Sequence, residues 1–224
     1  MASYSLLNLV NFIMRDIGQD DLTTLASTTN KLALYLIDQA NLLMYEIAEA
    51  EDWDWLYKSA DPPITTVVNQ QEHSLASDCE VAYAFRQMKT PLRLKKKDLV
   101  WLAETYPDFT DSTGDPENYI PVGWQKIWLD PIPTSVMTIN YAYKKFLTRM
   151  SANTDTPQLP EPFQNLLITG LRAMAYRYLE HPDKDKEMGL YLARLQKRIA
   201  LFHEDPPDEY AKLPAWDYGG NPYE

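Results

Sequence analysis

The sequence predicts a mainly α-helical chain of mixed α+β class: a four-helix bundle, a small antiparallel β-domain inserted into it, and an extended C-terminal arm. Two changes of period and one loss of it lead there. Apolar residues recur at three- and four-residue steps up to about residue 59 and again from about 149. Between those stretches the period falls to two, and proline, glycine and asparagine break the chain into short pieces. After His203 neither period survives. The predicted parts are 1–59 and 149–203, each a helical pair of the bundle, 60–148, the β-domain, and 204–224, the arm.

The first helix is predicted from about Tyr4 to Ile17. Ser3 or Ser5 can cap it, Gly18 can end it, and Leu6, Leu9, Val10, Ile13, Met14 and Ile17 form its stripe. The second is predicted from Thr28 or Thr29 to near Trp55, on Leu32, Leu36, Ala40, Leu43, Ile47 and Ala50. Its end gathers Glu46, Glu49, Glu51, Asp52 and Asp54 at the negative pole of the helix dipole. That is either a solvated acidic face or a surface for a basic partner. Trp53 and Trp55 suit anchoring onto the next element.

Pro62-Pro63 breaks the helical pattern. Ile64–Val68, a turn over Asn69–Glu72, and His73–Leu75 read as a hairpin. Val81, Tyr83 and Phe85 alternate with Ala82, Ala84 and Arg86 as a half-buried strand, and Pro91–Leu94 suits a short edge strand. Lys95, Lys96 and Lys97 form the basic run of the chain. They read as a solvated turn, with a partner or phosphate contact as the other reading. Asp98 can cap a short helix to Thr105 with Leu99 and Leu102 inward. Thr110–Pro116 reads as a polar turn, Trp124–Leu129 as a strand, and Asp130–Pro133 as a turn. Met137, Ile139, Tyr141 and Tyr143 then line one face of a long strand.

Ser151–Pro160 reads as a polar linker. The helix after it is the one the others need as a packing surface. Glu161 suits the positive end of the dipole, and Pro162 suits the first helical position. Phe163, Leu166, Leu167, Gly170, Leu171, Met174, Ala175 and Tyr178 make its stripe, which Ile168 and Leu179 widen. Glycine inside a helix costs about 1 kcal/mol against alanine, so a close helix crossing at Gly170 is expected to offset it. His181-Pro182 stops this helix. The last runs from about Asp183 to Phe202, with Met188, Leu192, Leu195, Ile199 and Phe202 as a strict seam. Residues 204–224 hold four prolines, two glycines and six carboxylates against one lysine, which leaves no regular element to form. Tyr210, Leu213, Trp216, Tyr218 and Tyr223 punctuate that stretch. It reads either as a frayed terminus or as an arm that orders on a partner.

Hydrophobic content of 45% supports a packed core, and a net charge of −11 argues against general affinity for nucleic acid. One cysteine, Cys79, excludes an intrachain disulfide and a cysteine-paired zinc site. It reads as a small buried residue. Met1–Tyr4 offers no basic region ahead of an apolar run, so no secretory signal is expected. No apolar stretch approaches the roughly 18 residues of a membrane span, and a reducing cytoplasm is the expected place of synthesis. A carboxylate-bridged metal site needs Glu three residues before His. Gln70, Tyr178 and Ala200 hold those places before His73, His181 and His203, so no metal and no cofactor are expected. The three histidines read as surface or turn residues. No phosphate loop or nucleophile elbow is found. Paired carboxylates for a peptidoglycan hydrolase could come from Glu46, Glu49 or Glu51, but no enzyme activity is expected.

Several stretches, in order, resemble the head-to-tail adaptor (connector or head-completion) proteins of tailed bacteriophages, notably short-tailed ones. They are Trp53-Asp-Trp55, Ile64–Asp78, Pro91-Leu-Arg93, Gly114-Asp-Pro116 with Tyr119, Asp130–Pro133 and Thr156–Phe163. The resemblance implies a structural virion protein at the head–tail interface, assembled in the host cytoplasm. It implies a homo-oligomeric ring, expected to be twelve subunits, under the portal protein, with a tail tube or nozzle protein below. Genomic DNA would pass through without specific binding, and no membrane is involved. The arm would reach the portal, with Tyr210, Leu213, Trp216, Tyr218 and Tyr223 as contacts. A different tail ring component is the alternative.

Overall fold

The computed structural model describes residues 4–88, 93–106 and 112–203. They form a mixed α+β protein that divides into two compact units. Asp52–Arg149 is one, and the described residues before and after it make the other. The helices among the described residues are α1 (Leu6–Asp16), α2 (Lys31–Glu49), α3 (Leu99–Thr105), α4 (Glu161–Tyr178) and α5 (Lys184–His203). None is long and apolar enough to cross a membrane.

In the helical unit α4 packs against α1, α2 and α5, and α1 also packs on α2. Ser5 caps α1 by accepting the Asn8 N–H, and Gly18, at φ +74°, follows its end. Leu6, Leu9, Val10, Ile13 and Met14 are buried as their spacing requires. Asn30 caps α2, so that helix starts later than Thr29. It also ends at Glu49 rather than near Trp55, because the C-terminal turn holds no cation to offset its acids. Trp55 lies instead in a separate 3₁₀ turn, Asp54–Leu56. Pro160 caps α4 and Pro162 is its second residue, one place later than expected. Gly170 does sit at a close crossing. A Cβ built there would lie 3.0 Å from Leu43 Cδ1 of α2 and 3.0 Å from Tyr191 Cε2 of α5.

Tyr191 decides which side of α5 faces inward. It and Leu195 are buried, while Leu192, expected in the seam, is 45% exposed. Tyr178 and Leu179 also lie exposed at the end of α4. The linker before α4 is more ordered than its composition suggests. The Asp155 and Asn153 carbonyls accept the Leu6 and Leu7 N–H groups at 2.7 and 3.2 Å. Asn153 Oδ1 accepts from Leu25 N at 2.8 Å. Asn41, buried in α2, holds both backbone groups of Met150: its Nδ2 donates to the carbonyl at 3.1 Å and its Oδ1 accepts the N–H at 2.7 Å.

The inserted unit is built on short strands: β1 (Tyr57–Ser59), β2 (Ile64–Thr65), β3 (Glu72–Ser74), β4 (Cys79–Gln87), β5 (Lys95–Lys96), β6 (Thr113–Gly114), β7 (Asn118–Pro121), β8 (Lys126–Asp130), β9 (Ile132–Pro133) and β10 (Thr138–Lys145). One sheet centres on β10, with β4 along one edge and β1 and β2 along the other. A second runs β3-β8-β7-β5, and β6 pairs with β9. Ile139, Tyr141 and Tyr143 point inward from β10 as their alternation predicts, and Phe85 stacks on Tyr141 with ring centroids 5.1 Å apart.

Three expectations fail here for local reasons. The unit is not wholly antiparallel, because β5 pairs parallel with β7 and β6 with β9. The expected 64–75 hairpin does not form. Buried Thr66 donates its hydroxyl to Ser135 O at 3.0 Å and accepts Met137 N–H at 2.9 Å. Asn69 N–H bonds Pro133 O at 2.8 Å. Those bonds tie 64–69 along the start of β10, and β3 crosses to β8 instead. Val81 and Tyr83 turn outward, at 41% and 40% exposure, although Phe85 is buried. Ala84 has φ +51°, and between the Arg86–Asn140 and Tyr83–Ala142 pairs two residues of β4, Ala84 and Phe85, oppose one of β10, Tyr141. That bulge switches which face each side chain takes.

Two substitutions test this packing. Gly170→Val places methyl groups where Leu43 and Tyr191 already sit, and overpacking of this kind costs about 1–3 kcal/mol. Its urea midpoint is expected to fall by the matching amount, while an unchanged midpoint would refute the tight crossing. Asn41→Ala leaves the Met150 N–H buried and unpaired, which costs roughly 1–3 kcal/mol. The same titration reads it, and a loss near zero would mean that Met150 is not held there.

Candidate functional site

The basic run is a strand and not a turn. Lys95 and Lys96 form β5, held by Lys95 N–H to Glu117 O and Lys97 N–H to Tyr119 O, both 2.9 Å. β5 is the outer strand of its sheet. Alternation sends Lys95 and Lys96 to opposite faces, and both are exposed. Lys97 Nζ lies 4.5 Å from the ring centroid of Trp101 in α3. The three charges therefore do not converge on one anion. Two lysines on an outer strand do what edge charges commonly do, discouraging pairing with another sheet. Leu102 of α3 is buried, but Leu99 is 44% exposed because the seven-residue helix offers only one inward turn.

The acids after α2 have internal partners. Glu51 Oε2 accepts from His203 Nε2 at 2.7 Å. Within the inserted unit Asp52 accepts from Tyr57 Oη and from Lys144 Nζ. The Tyr57 hydroxyl and Lys144 hold the Asp52 carboxyl below its ordinary range, and Asp52 in turn pushes Tyr57 up to about 12. Asp78 accepts from Lys58 Nζ at 2.9 Å and from Tyr143 Oη at 2.7 Å. Partial burial raises its pKa, but those two bonds outweigh it and leave it lowered. Glu46 and Glu49 are exposed.

His73 corrects the expectation of a surface histidine. It is buried on β3, 3.1 Å from the Gln70 carbonyl, and burial lowers its pKa. His181 sits in the α4–α5 turn, where its Nδ1 accepts the Asp183 N–H. Cys79 is buried, which pushes its thiol up to about 11, away from reactive thiolate. Among the described residues no group of three or more His, Cys, Asp or Glu side chains could hold a metal ion. The arm positions Tyr210, Leu213, Trp216, Tyr218 and Tyr223 lie outside the described residues. Of the expected site residues only Lys95, Lys96 and Lys97 are described, and they do not converge. No local spacing marks the Asp52–Tyr57–Lys144 and Asp78–Lys58–Tyr143 clusters, whose members lie up to 92 residues apart.

A family model described as SU10 adaptor protein matches residues 4–214. No curated protein matches the chain.

The two carboxylate clusters set an acid limit on the inserted unit. Both carboxyls have folded pKa values below their unfolded ones, so their stabilisation is present above about pH 4 and is lost as pH falls through the folded values. The melting temperature is expected to drop on acidification below about pH 4. In a Lys58→Met, Lys144→Met double variant that drop should be shallower. An equally steep drop would show that other carboxylates govern it.

Proposed function

This chain belongs to the SU10 adaptor protein family, phage head-to-tail adaptors such as its motifs resemble, and on that premise we propose that copies of it form a ring beneath the portal of a capsid. The ring extends the DNA channel and offers the tail its attachment platform, at the head–tail interface of the virion. Family membership across both helical stretches and the inserted unit is the observation that carries this.

In the assembly α1, α2, α4 and α5 act as the four-helix bundle of the ring wall. Domain 60–148 faces the tail tube or nozzle protein or the next subunit. The arm, 204–224, reaches the portal through Tyr210, Leu213, Trp216, Tyr218 and Tyr223. Aromatic side chains of this kind supply large contact area at low entropic cost, as interface anchors do. The ring is expected to hold twelve subunits. A net charge of −11 suits a wall past which DNA slides without being held. The work is mechanical, and no side chain is assigned a bond-making role.

Native mass spectrometry of the full chain mixed with purified portal should give a ring-on-ring complex. Deleting 204–224 is expected to leave the melting temperature of the body unchanged and to abolish joining. A deletion that joins portal as well as the full chain would sink the proposed role of the arm. Binding to a distal tail protein in place of portal would mark a different tail ring component.

A further inference from the structure

Two faces of the helical unit set opposite charges beside apolar side chains. One is a groove of about 580 Å³ between α4 and α5. Leu166, Ile168 and Leu201 are its apolar lining, Arg172, Arg194, Lys197 and Arg198 bring charge to it, and none of its lining among the described residues is a carboxylate. Arg172 pairs with Asp16, and Arg194 donates to the Thr169 hydroxyl, which holds both guanidinium groups in place. The other face is the outward side of α2. Leu34, Asp38, Leu42, Tyr45 and Glu49 follow one another along it at helical steps. Leu34 and Leu42 are 46% and 57% exposed, and Asp38, Glu46 and Glu49 are exposed on the same helix. Against those three acids α2 carries one cation, Lys31.

We infer that the outward face of α2 in one copy of the chain seats in the α4–α5 groove of the next copy. The charges are complementary: in a molecule of net charge −11 the groove gathers cations, and α2 presents acids. The apolar parts match too. Leu34 and Leu42 form a ridge that a furrow between two helices can take, and they cover Leu166, Ile168 and Leu201. A nucleic-acid backbone would satisfy the cations but leave that apolar lining uncovered. The lengths agree as well. Asp38 to Glu49 spans about 16 Å of α2, and Pro162 to Arg172 about 15 Å of α4.

The directions of the two faces make the partner a second copy. Gly170 of α4 meets α2 at Leu43. Ile168 and Arg172 stand two residues to either side of Gly170, which puts each about 160° round the α4 axis from that contact. On α2, Leu34 lies about 180° round the axis from Leu43. The groove and the α2 face therefore look away from the α2–α4 contact in opposite directions. They cannot meet within one chain, and between chains they join copies head to tail. A head-to-tail contact closes into a ring where the rotation per copy allows and otherwise runs on as a filament. The pairing rests on the ring reading for its closure, and it names the faces by which neighbours in that ring touch.

Reversing the charge of each face in turn tests this on the full chain mixed with portal. One variant is Glu46→Lys with Glu49→Lys, where positive charge suits the negative end of the α2 dipole and so keeps the helix. The other is Lys197→Glu with Arg198→Glu. Each alone sets like charge against like, and its yield of ring by native mass spectrometry should fall about tenfold while circular dichroism stays unchanged. An equal mixture of the two is expected to restore the yield, because alternating copies again set opposite charges together. In the unaltered chain, zero-length carbodiimide coupling of mixed ¹⁴N- and ¹⁵N-labelled protein should join Lys197 to Glu46 or Glu49, with about half of the linked pairs mixed in isotope, as random pairing between copies requires. Variants that assemble as the unaltered chain does, a mixture no better than its parts, links never mixed in isotope, or loss of the link when a short DNA duplex is added would each overturn the pairing. A ring on portal without the link would remove the pairing and leave the ring reading standing. Isotope-mixed links in copies that never close on portal would do the reverse.

Discussion

A missing side chain organises the helical unit. Gly170 lets α2 and α5 approach α4 so closely that a single added carbon would press on Leu43 and Tyr191 together. The helix gives up about 1 kcal/mol of propensity there. In return the Tyr191 ring is almost wholly buried, and its hydroxyl stays protonated far into alkali because burial opposes the charge. That hydroxyl finds no hydrogen-bond partner among the described residues. A buried polar atom left unpaired is a cost that only dense packing around the ring can outweigh. Because α4 touches α1, α2 and α5, whatever fixes its spacing to α2 and α5 fixes the unit.

The same unit must also survive an interruption of nearly a hundred residues. Its chain leaves after Glu51 and resumes at Met150. Hydrophobic burial is non-directional and cannot by itself set the register of a returning strand of chain. Asparagines do that here. Asn41 reads both backbone groups of Met150, Asn11 reads both of Leu22 at 2.9 and 2.8 Å, and Asn153 fixes Leu25. Each offers a donor and an acceptor on one short, stiff side chain, which pairs with a peptide group as another peptide would.

What could be read from the sequence follows from how many rows compete. α1 has one apolar row and a serine at the right place, and it folds as its spacing says. β10 has one strict alternation, and it too is legible. α5 carries Leu190, Leu192, Leu201 and Phe202 outside its buried row, so periodicity admits more than one seam. The choice falls to Tyr191 because the slot at Gly170 is on another helix, a fact no window on α5 contains. The outward turn of Val81 and Tyr83 hangs on the left-handed backbone of Ala84, for which alanine gives no signal. Lys95–Lys97 look like a patch when written in a row and cease to be one when a strand alternates them. Arg172, Arg194, Lys197 and Arg198 do the opposite: they lie on two helices and converge only once these pack.

Charge is partitioned in a way that bears on assembly. Several acids have partners inside the fold: Glu51 accepts a hydrogen bond from His203, Asp52 pairs with Lys144 and Tyr57, Asp78 with Lys58, and Glu72 with Lys126. The acidic end of α2 therefore offers a basic partner less than its sequence suggests, and the strongest local contrast lies in the α4–α5 groove instead. Salt-screened repulsion between like-charged copies favours dispersed monomers unless specific contacts overcome it. Exposed Leu34 and Leu42 on α2 and Leu190 and Leu192 on α5 supply apolar surface for such contacts. The four cations that line the α4–α5 groove are set at fixed places on two packed helices. Apolar faces alone would let copies meet at any register, whereas opposite charges set at fixed places on a rigid helix pair admit one.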